Sequence, residues 1–106
     1  MARRTVSTSS YVILEAIAAG HRHGFDIIDV SGLPSGTVYP ALRRFEAQGM
    51  VRAKWESAKS AHREGRPARR YYELTATGEK VLADARQRYQ GLSRLAASPD
   101  PGSATI

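Results

Sequence analysis

The hydrophobic period of this chain changes twice, and those two changes constrain its fold more than any other feature. Up to Gly49 the apolar residues recur at helical spacing. From Val51 the spacing drops to two, with Val51, Ala53 and Trp55 alternating with Arg52, Lys54 and Glu56, which is the pattern of a half-exposed strand. Residues 57–68 are polar, contain Gly65 and Pro67, and read as a loop. Arg70 to Leu74, carrying Tyr71 and Tyr72, form the return strand, and beyond Thr75 the helical period resumes. One hairpin framed by helices, in a chain of 106 residues, describes a single small domain.

Three helices are expected before the hairpin. The first spans 8–19 on Ile13, Leu14, Ile17 and Ala18, with Ser9 or Ser10 as cap and Gly20 as its end. The second runs from about His23 to Val30 with Phe25, Ile27 and Ile28 turned inward, and Ser31-Gly32-Leu33-Pro34 breaks it. The third covers 35–48, burying a stripe of Val38, Leu42 and Phe45 and leaving Gly36, Tyr39, Pro40, Arg43 and Arg44 outward. Pro40 is harmless only in a first turn, so this helix is expected either to begin nearer Thr37 or to bend there. Thr75 caps a last helix over 76–97, whose Leu82, Ala85, Tyr89, Leu92 and Ala96 form a heptad-like seam.

The order, with a tight glycine-containing turn between helices two and three, is that of a mostly helical (α+β) winged helix-turn-helix. It comprises three helices, a two-stranded β-hairpin wing and a C-terminal dimerisation helix. The expected organisation is a DNA-binding domain over 1–75, a dimerisation helix over 76–97 and a disordered tail over 98–106.

Composition narrows the function. The chain has no cysteine, hence no disulfide framework or thiolate metal site, and its longest apolar run, Tyr11 to Leu14, is far too short to span a membrane. No apolar stretch follows the N-terminal arginines as a signal peptide requires, so a cytoplasmic location is expected. No catalytic constellation or glycine-rich phosphate loop stands out, so the chain is not expected to be an enzyme and no cofactor is expected. His21, His23 and His62 are the only imidazoles and lack the spacing of a metal site; His23 reads as a packing or capping residue.

Sixteen Lys and Arg oppose ten Asp and Glu, and residues 51–74 hold a net +4 of that excess, against +1 on each side. A concentrated positive stretch beside an arginine-bearing helix is the electrostatic footprint of a double-stranded DNA reader. On the third helix, Ser35, Thr37 and Arg43 suit base edges, whereas Tyr39 and Arg44 suit phosphates; Ser35 and Thr37 are also candidate N-caps. In the wing, Lys59, His62, Arg63, Arg66, Arg69 and Arg70 would supply affinity, with Arg63, Arg66 and Arg69 as the principal contacts. Arg3 and Arg4 add a short basic arm. On the last helix Leu82, Ala85, Tyr89, Leu92 and Leu95 exceed what so small a domain can cover, and a second copy of the chain is their expected partner.

Four segments carry a resemblance to a known family. They are Tyr11-Val-Ile-Leu-Glu-Ala-Ile, His23-Gly24-Phe25-Asp-Ile-Ile, the run Ser35-Gly-Thr-Val-Tyr-Pro-Ala-Leu-Arg-Arg-Phe-Glu-Ala-Gln-Gly-Met-Val51, and Gly65-Arg-Pro-Ala-Arg-Arg-Tyr-Tyr-Glu-Leu-Thr75. In this order, over about residues 10–97, the chain resembles the PadR family of bacterial transcription regulators, in its small subclass with one C-terminal helix. The resemblance implies a cytoplasmic homodimer on a palindromic operator, often a repressor, with a small aromatic inducer in some members. By matching position, the recognition helix is 35–48 and the wing 57–69. Two departures stand out: a short connection between helices two and three, and a last helix with Tyr89 but no tryptophan to sandwich a flat ligand. Two alternatives to the DNA-reading regulator remain: a sensor with a small-molecule pocket at the dimer interface, and a winged-helix module that binds another protein.

Overall fold

In the computed structural model, which describes residues 6–97, the chain runs α1 (Thr8–Ala18), α2 (Gly24–Ser31), α3 (Ser35–Ala47), β1 (Val51–Trp55), α4 (Ala58–Arg63), β2 (Arg70–Leu74) and α5 (Ala76–Ala97). The proposed arm at Arg3 and Arg4 and the tail over 98–106 lie outside the described residues, as do the side chains of Ser93, Ala96 and Ala97.

The core forms where the helical stripes meet the inner face of the hairpin. Ile13, Leu14 and Ile17 of α1, Ile27 of α2, and Val38, Leu42 and Phe45 of α3 close on Val51, Tyr72 and Leu82. Burying each large apolar side chain stabilises the fold by about 1.5–3 kcal/mol. Between the strands, antiparallel pairs run from Val51 opposite Leu74 to Trp55 opposite Arg70.

Four local expectations are corrected. Ser7, not Ser9 or Ser10, caps α1 by accepting the Ser10 N–H at 3.1 Å, and Ser10 itself is buried against Ser7. Phe25 is 71% exposed: the inward stripe of α2 passes through Gly24, Ile27 and Ile28, three and four residues apart, and Phe25 falls beside it. Helix α3 starts at Ser35, capped by Pro34, and runs on through Pro40, its sixth residue. Residues 57–68, read as a loop, contain α4. Ser57 caps it by accepting the Ser60 N–H at 3.1 Å. Gly65 (φ 69°) turns its end, where the Gly65 and Arg66 N–H groups reach the His62 and Ala61 carbonyls at 2.9 and 3.1 Å.

Four elements meet at one knot. At the end of α3, Gly49 takes the left-handed conformation (φ 75°), and the Met50 N–H returns to the Phe45 carbonyl at 2.8 Å. Where β2 ends, Thr75 donates its N–H to the Met50 carbonyl at 3.0 Å and its hydroxyl to the Gly49 carbonyl at 2.6 Å. The same hydroxyl oxygen accepts the Gly78 N–H at 3.1 Å, capping α5 as expected. A methyl group on Gly78 would collide with the Met50 backbone carbonyl.

Alanine ordinarily stabilises a helix by about 1 kcal/mol over glycine. Gly91, on the same helix, has nothing within 4 Å of where a Cβ would lie, so Gly91→Ala should gain about that amount in urea denaturation. Gly78→Ala should instead lose about 1–3 kcal/mol, because backbone rather than a mobile side chain must give way. A gain at both positions would refute the close packing of α5 on Met50.

Candidate nucleic-acid interface

Helix α3 buries Val38, Ala41, Leu42 and Phe45 and leaves Arg43 and Arg44 exposed on the far side. Since successive helical residues are rotated by about 100°, the two arginines leave on different flanks. Of the charged groups near the Tyr72 hydroxyl of β2, Arg70 acts most strongly, followed by Glu46 and, weakly, Arg43. Burial dominates at that hydroxyl and raises its pKa, while Arg70 opposes the rise. Arg44 instead borders a cleft of about 490 Å³ between α3 and α5, lined also by Phe45, Met50, Val81 and Arg88.

Nearer the start of α3, Ser35 is exposed in the first turn and Thr37 is half-buried. The N-cap is Pro34, whose carbonyl accepts the Thr37 and Val38 N–H groups at 2.9 and 3.0 Å, so neither Ser35 nor Thr37 is the cap. Tyr39 is half-buried, not outward. Its ring lies against the first turn of α2, where any side chain larger than that of Gly24 would collide with it. Gly24 and Tyr39 therefore fix how α2 and α3 approach each other. This pairing lay unread in the His-Gly-Phe and Thr-Val-Tyr-Pro motifs.

The wing is ordered by one arginine. Arg66 grips Glu56 through both terminal nitrogens, with Nη2 donating to Oε2 at 2.8 Å, and also donates to Glu64 at 3.0 Å. Glu56 closes the base of the loop: its N–H donates to the Arg69 carbonyl at 2.8 Å and its Oε1 accepts the Arg69 N–H at 3.1 Å. The Arg66 guanidinium holds the Glu56 carboxyl down to about 2. Expected as a phosphate contact, Arg66 thus has its guanidinium taken up by two carboxylates. Arg63 and Lys59 are exposed on α4, and Arg69 is half-buried at the return. Among the described residues, Arg43, Arg44, Lys59, Arg63 and Arg69 make no ion pair.

Two further groups of charge flank this surface. Arg70 bridges to Glu46 of α3 at 3.2 Å, tying the wing's base to that helix. On the opposite face of the hairpin, Glu73 gathers Lys54, Arg52 and Arg22 at 3.4, 3.7 and 3.9 Å. His23 precedes α2, edge-on to Tyr71 with ring centroids 6.0 Å apart, as a packing residue. No group of three or more acidic or histidine side chains among the described residues has the geometry to hold a metal ion.

Along α5, Leu82 (2% exposed) and Ala85 are already buried within the single chain. Tyr89 stacks on Tyr11 with ring centroids 4.7 Å apart and 13° between planes, and its hydroxyl donates to the Val6 carbonyl at 2.6 Å. Arg86 ties α5 to Glu15 of α1 at 2.8 Å. Leu92 and Leu95 are 54% and 75% exposed.

The wing clasp has a defined pH dependence. Because the folded Glu56 carboxyl titrates below its ordinary 4.5, the clasp contributes fully above that pH and is lost as pH falls toward about 2. Hydrogen exchange over residues 57–69 should therefore be flat from neutral pH to about 5, after correction for intrinsic rates, and should accelerate only below it. Glu56→Gln should give the accelerated exchange already at neutral pH; unchanged exchange in that variant would contradict the clasp.

A family model described as the transcriptional regulator PadR-like family matches residues 13–84. Among solved structures, a PadR family transcription regulator from Clostridium difficile R20291 superposes with a TM-score of 0.72 at 21% identity, covering 84% of this chain and 94% of its own. PcaV of Streptomyces coelicolor, solved with its natural ligand, gives 0.77 at 16% identity over 99% of this chain and 70% of its own. BpsR of Bordetella bronchiseptica, whose DNA binding is regulated by 6-hydroxynicotinic acid, gives 0.75 at 12% identity over 99% and 76%. No curated protein matches significantly. Among the described residues no helix is long and apolar enough to cross a membrane. At these identities the structures establish the winged-helix fold; with the family match spanning most of the domain, the chain belongs to the PadR-like family of transcriptional regulators.

Proposed function

We propose that the chain is a cytoplasmic, homodimeric repressor that reads a palindromic operator in double-stranded DNA. The observation that carries this reading is the exposed, unneutralised Arg43 on α3 beside a basic wing already held in one conformation. Ser35, Thr37 and Arg43 are the residues suited to base edges in the major groove. Arg44, Lys59, Arg63 and Arg69 supply phosphate contacts, which position the protein without specifying sequence. Arg66 acts by shaping the wing and Tyr39 by setting the angle of α3.

The exposed Leu92 and Leu95 support the dimer, since two large aliphatic side chains near one end of a helix favour burial against a second copy. Leu82, Ala85 and Tyr89 hold α5 to its own domain, so the helix is presented to that partner as a fixed arm. Half-sites one turn apart, roughly 34 Å, would be read by the two α3 helices. A ligand-responsive form of the same reading is supported by the cleft between α3 and α5, where an aromatic inducer would touch both the reading helix and the proposed dimer arm.

A salt titration of binding to its own upstream DNA, against a scrambled duplex, tests the proposal. A preference of ~10³ or more is expected. Arg43→Ala should erode that preference by about 1–3 kcal/mol, whereas Arg63→Ala should weaken both duplexes alike and lower the salt slope by about one. Equal, steeply salt-dependent binding would rule out a sequence reader, and no binding at low salt would favour a protein-interaction module. In sedimentation, the wild-type chain should be a dimer and the Leu92→Glu, Leu95→Glu double variant a monomer with weakened operator binding; a monomeric wild type would remove the dimer from the proposal.

A further inference from the structure

Trp55 is the chain's only tryptophan, and it is 66% exposed. The strand register explains how it comes to be so. Val51, Ala53 and Trp55 share one face of the hairpin with their partners Leu74, Tyr72 and Arg70. Val51 and Tyr72 are buried on that face, which packs on the core, but the core stops short of the last pair. Trp55 and Arg70 therefore project beyond it on the face that looks toward α3, and the Arg70 bridge to Glu46 fixes that orientation. The Arg70 guanidinium lies 5.7 Å from the indole centroid, holding the ring by a cation–π contact. Two residues later Ser57 opens α4, which carries Lys59 and Arg63, so Trp55 ends the strand that leads into the basic wing while its partner Arg70 is tied to Glu46 of α3.

We infer that Trp55 is a DNA-backbone contact, its ring packed on deoxyribose and its indole N–H donated to a phosphate between the bases read by α3 and the flank held by the wing. This inference rests on the DNA-binding reading above. The chemistry fits that place: an indole offers a broad apolar face and a single donor, with no acceptor to repel phosphate. Arg70 is paired with Glu46, so the Trp55–Arg70 unit contributes shape and a donor rather than free charge. Its contribution should therefore be independent of base sequence and, unlike that of Arg63, should leave the salt slope unchanged.

The lone tryptophan makes the inference directly readable. The full chain is titrated with a fluorescein-labelled duplex from its own upstream DNA, and acrylamide quenching of the tryptophan is measured in the free and saturated states. Quenching should fall on binding. Trp55→Ala should weaken upstream and scrambled duplexes alike by ~10-fold with an unchanged salt slope, and Trp55→Phe should recover part of that loss. Circular dichroism should show both variants folded, since the side chain is largely outside the core. Fluorescein anisotropy reports binding independently. Binding with unaltered quenching, or a folded Trp55→Ala variant of unaltered affinity, overturns the role of Trp55 alone. If neither duplex binds the wild-type chain at low salt, the DNA-binding reading falls and takes this inference with it.

Discussion

The geometry of the whole domain is set where Thr75 meets the Gly49–Met50 turn. A single hydroxyl donates to the Gly49 carbonyl and accepts the Gly78 N–H, while the Thr75 N–H holds the Met50 carbonyl. Those bonds join the end of α3, the first residue pair of the hairpin and the start of α5. The hairpin register, and with it the place of the wing, is counted from this point, because Val51 opposite Leu74 is the next rung. The direction of α5 is set here too, since Gly78 lets its first turn rest on the Met50 carbonyl. Helix α3, the hairpin and α5 thus share one junction, to which the side-chain ties farther out are added.

Around that frame, carboxylates divide the arginines into two kinds. Glu15, Glu46, Glu56 and Glu73 each cross-link separate segments: α1 to α5, α3 to β2, the two ends of the wing, and the hairpin to the α1–α2 turn. Apart from the more shielded Glu56–Arg66 pair, solvent-accessible ion pairs like these stabilise by only about 0–1 kcal/mol each, so their larger effect is on where elements lie. Once those arginines are assigned to architecture, the unpaired cations among the described residues include Arg43 and Arg44 of α3 and Lys59, Arg63 and Arg69 of the wing. Of the seven basic residues in 51–74, Arg52, Lys54, Arg66 and Arg70 are paired with carboxylates, and Lys59, Arg63 and Arg69 of the wing are left without an ion pair.

Most of the fold was legible in periodicity. The strand from Val51 to Trp55, its return from Arg70 to Leu74 and the helix over 76–97 match the expected bounds, because each has a clear period and a glycine or threonine marking its limits. Helix α4 was not legible: it buries one residue, Ala61, and six residues cannot display a helical repeat. Phe25 was misjudged because apolar identity was read without the phase of its helix. The pairing of Arg66 was hidden for a different reason, since composition counts charges but does not reveal that Glu56 lies across the loop from it. The role of Tyr39 required knowing that Gly24 faces it, which spacing within a single helix does not carry.

An ordered wing has a consequence for the grammar of any site the domain reads. A loop that folds only on contact can stretch to meet a displaced partner, at an entropic cost. The clasped wing and the Glu46–Arg70 tie instead keep helix and wing at a constant separation. One inserted base pair adds about 3.4 Å of rise and about a tenth of a turn, an offset such a rigid unit has little means to absorb. Spacing within each half-site would then be conserved as strictly as the bases themselves. In the proposed dimer, variation between target sites would accumulate at the junction of the two halves, where the connection would run through α5 and a second copy of the chain.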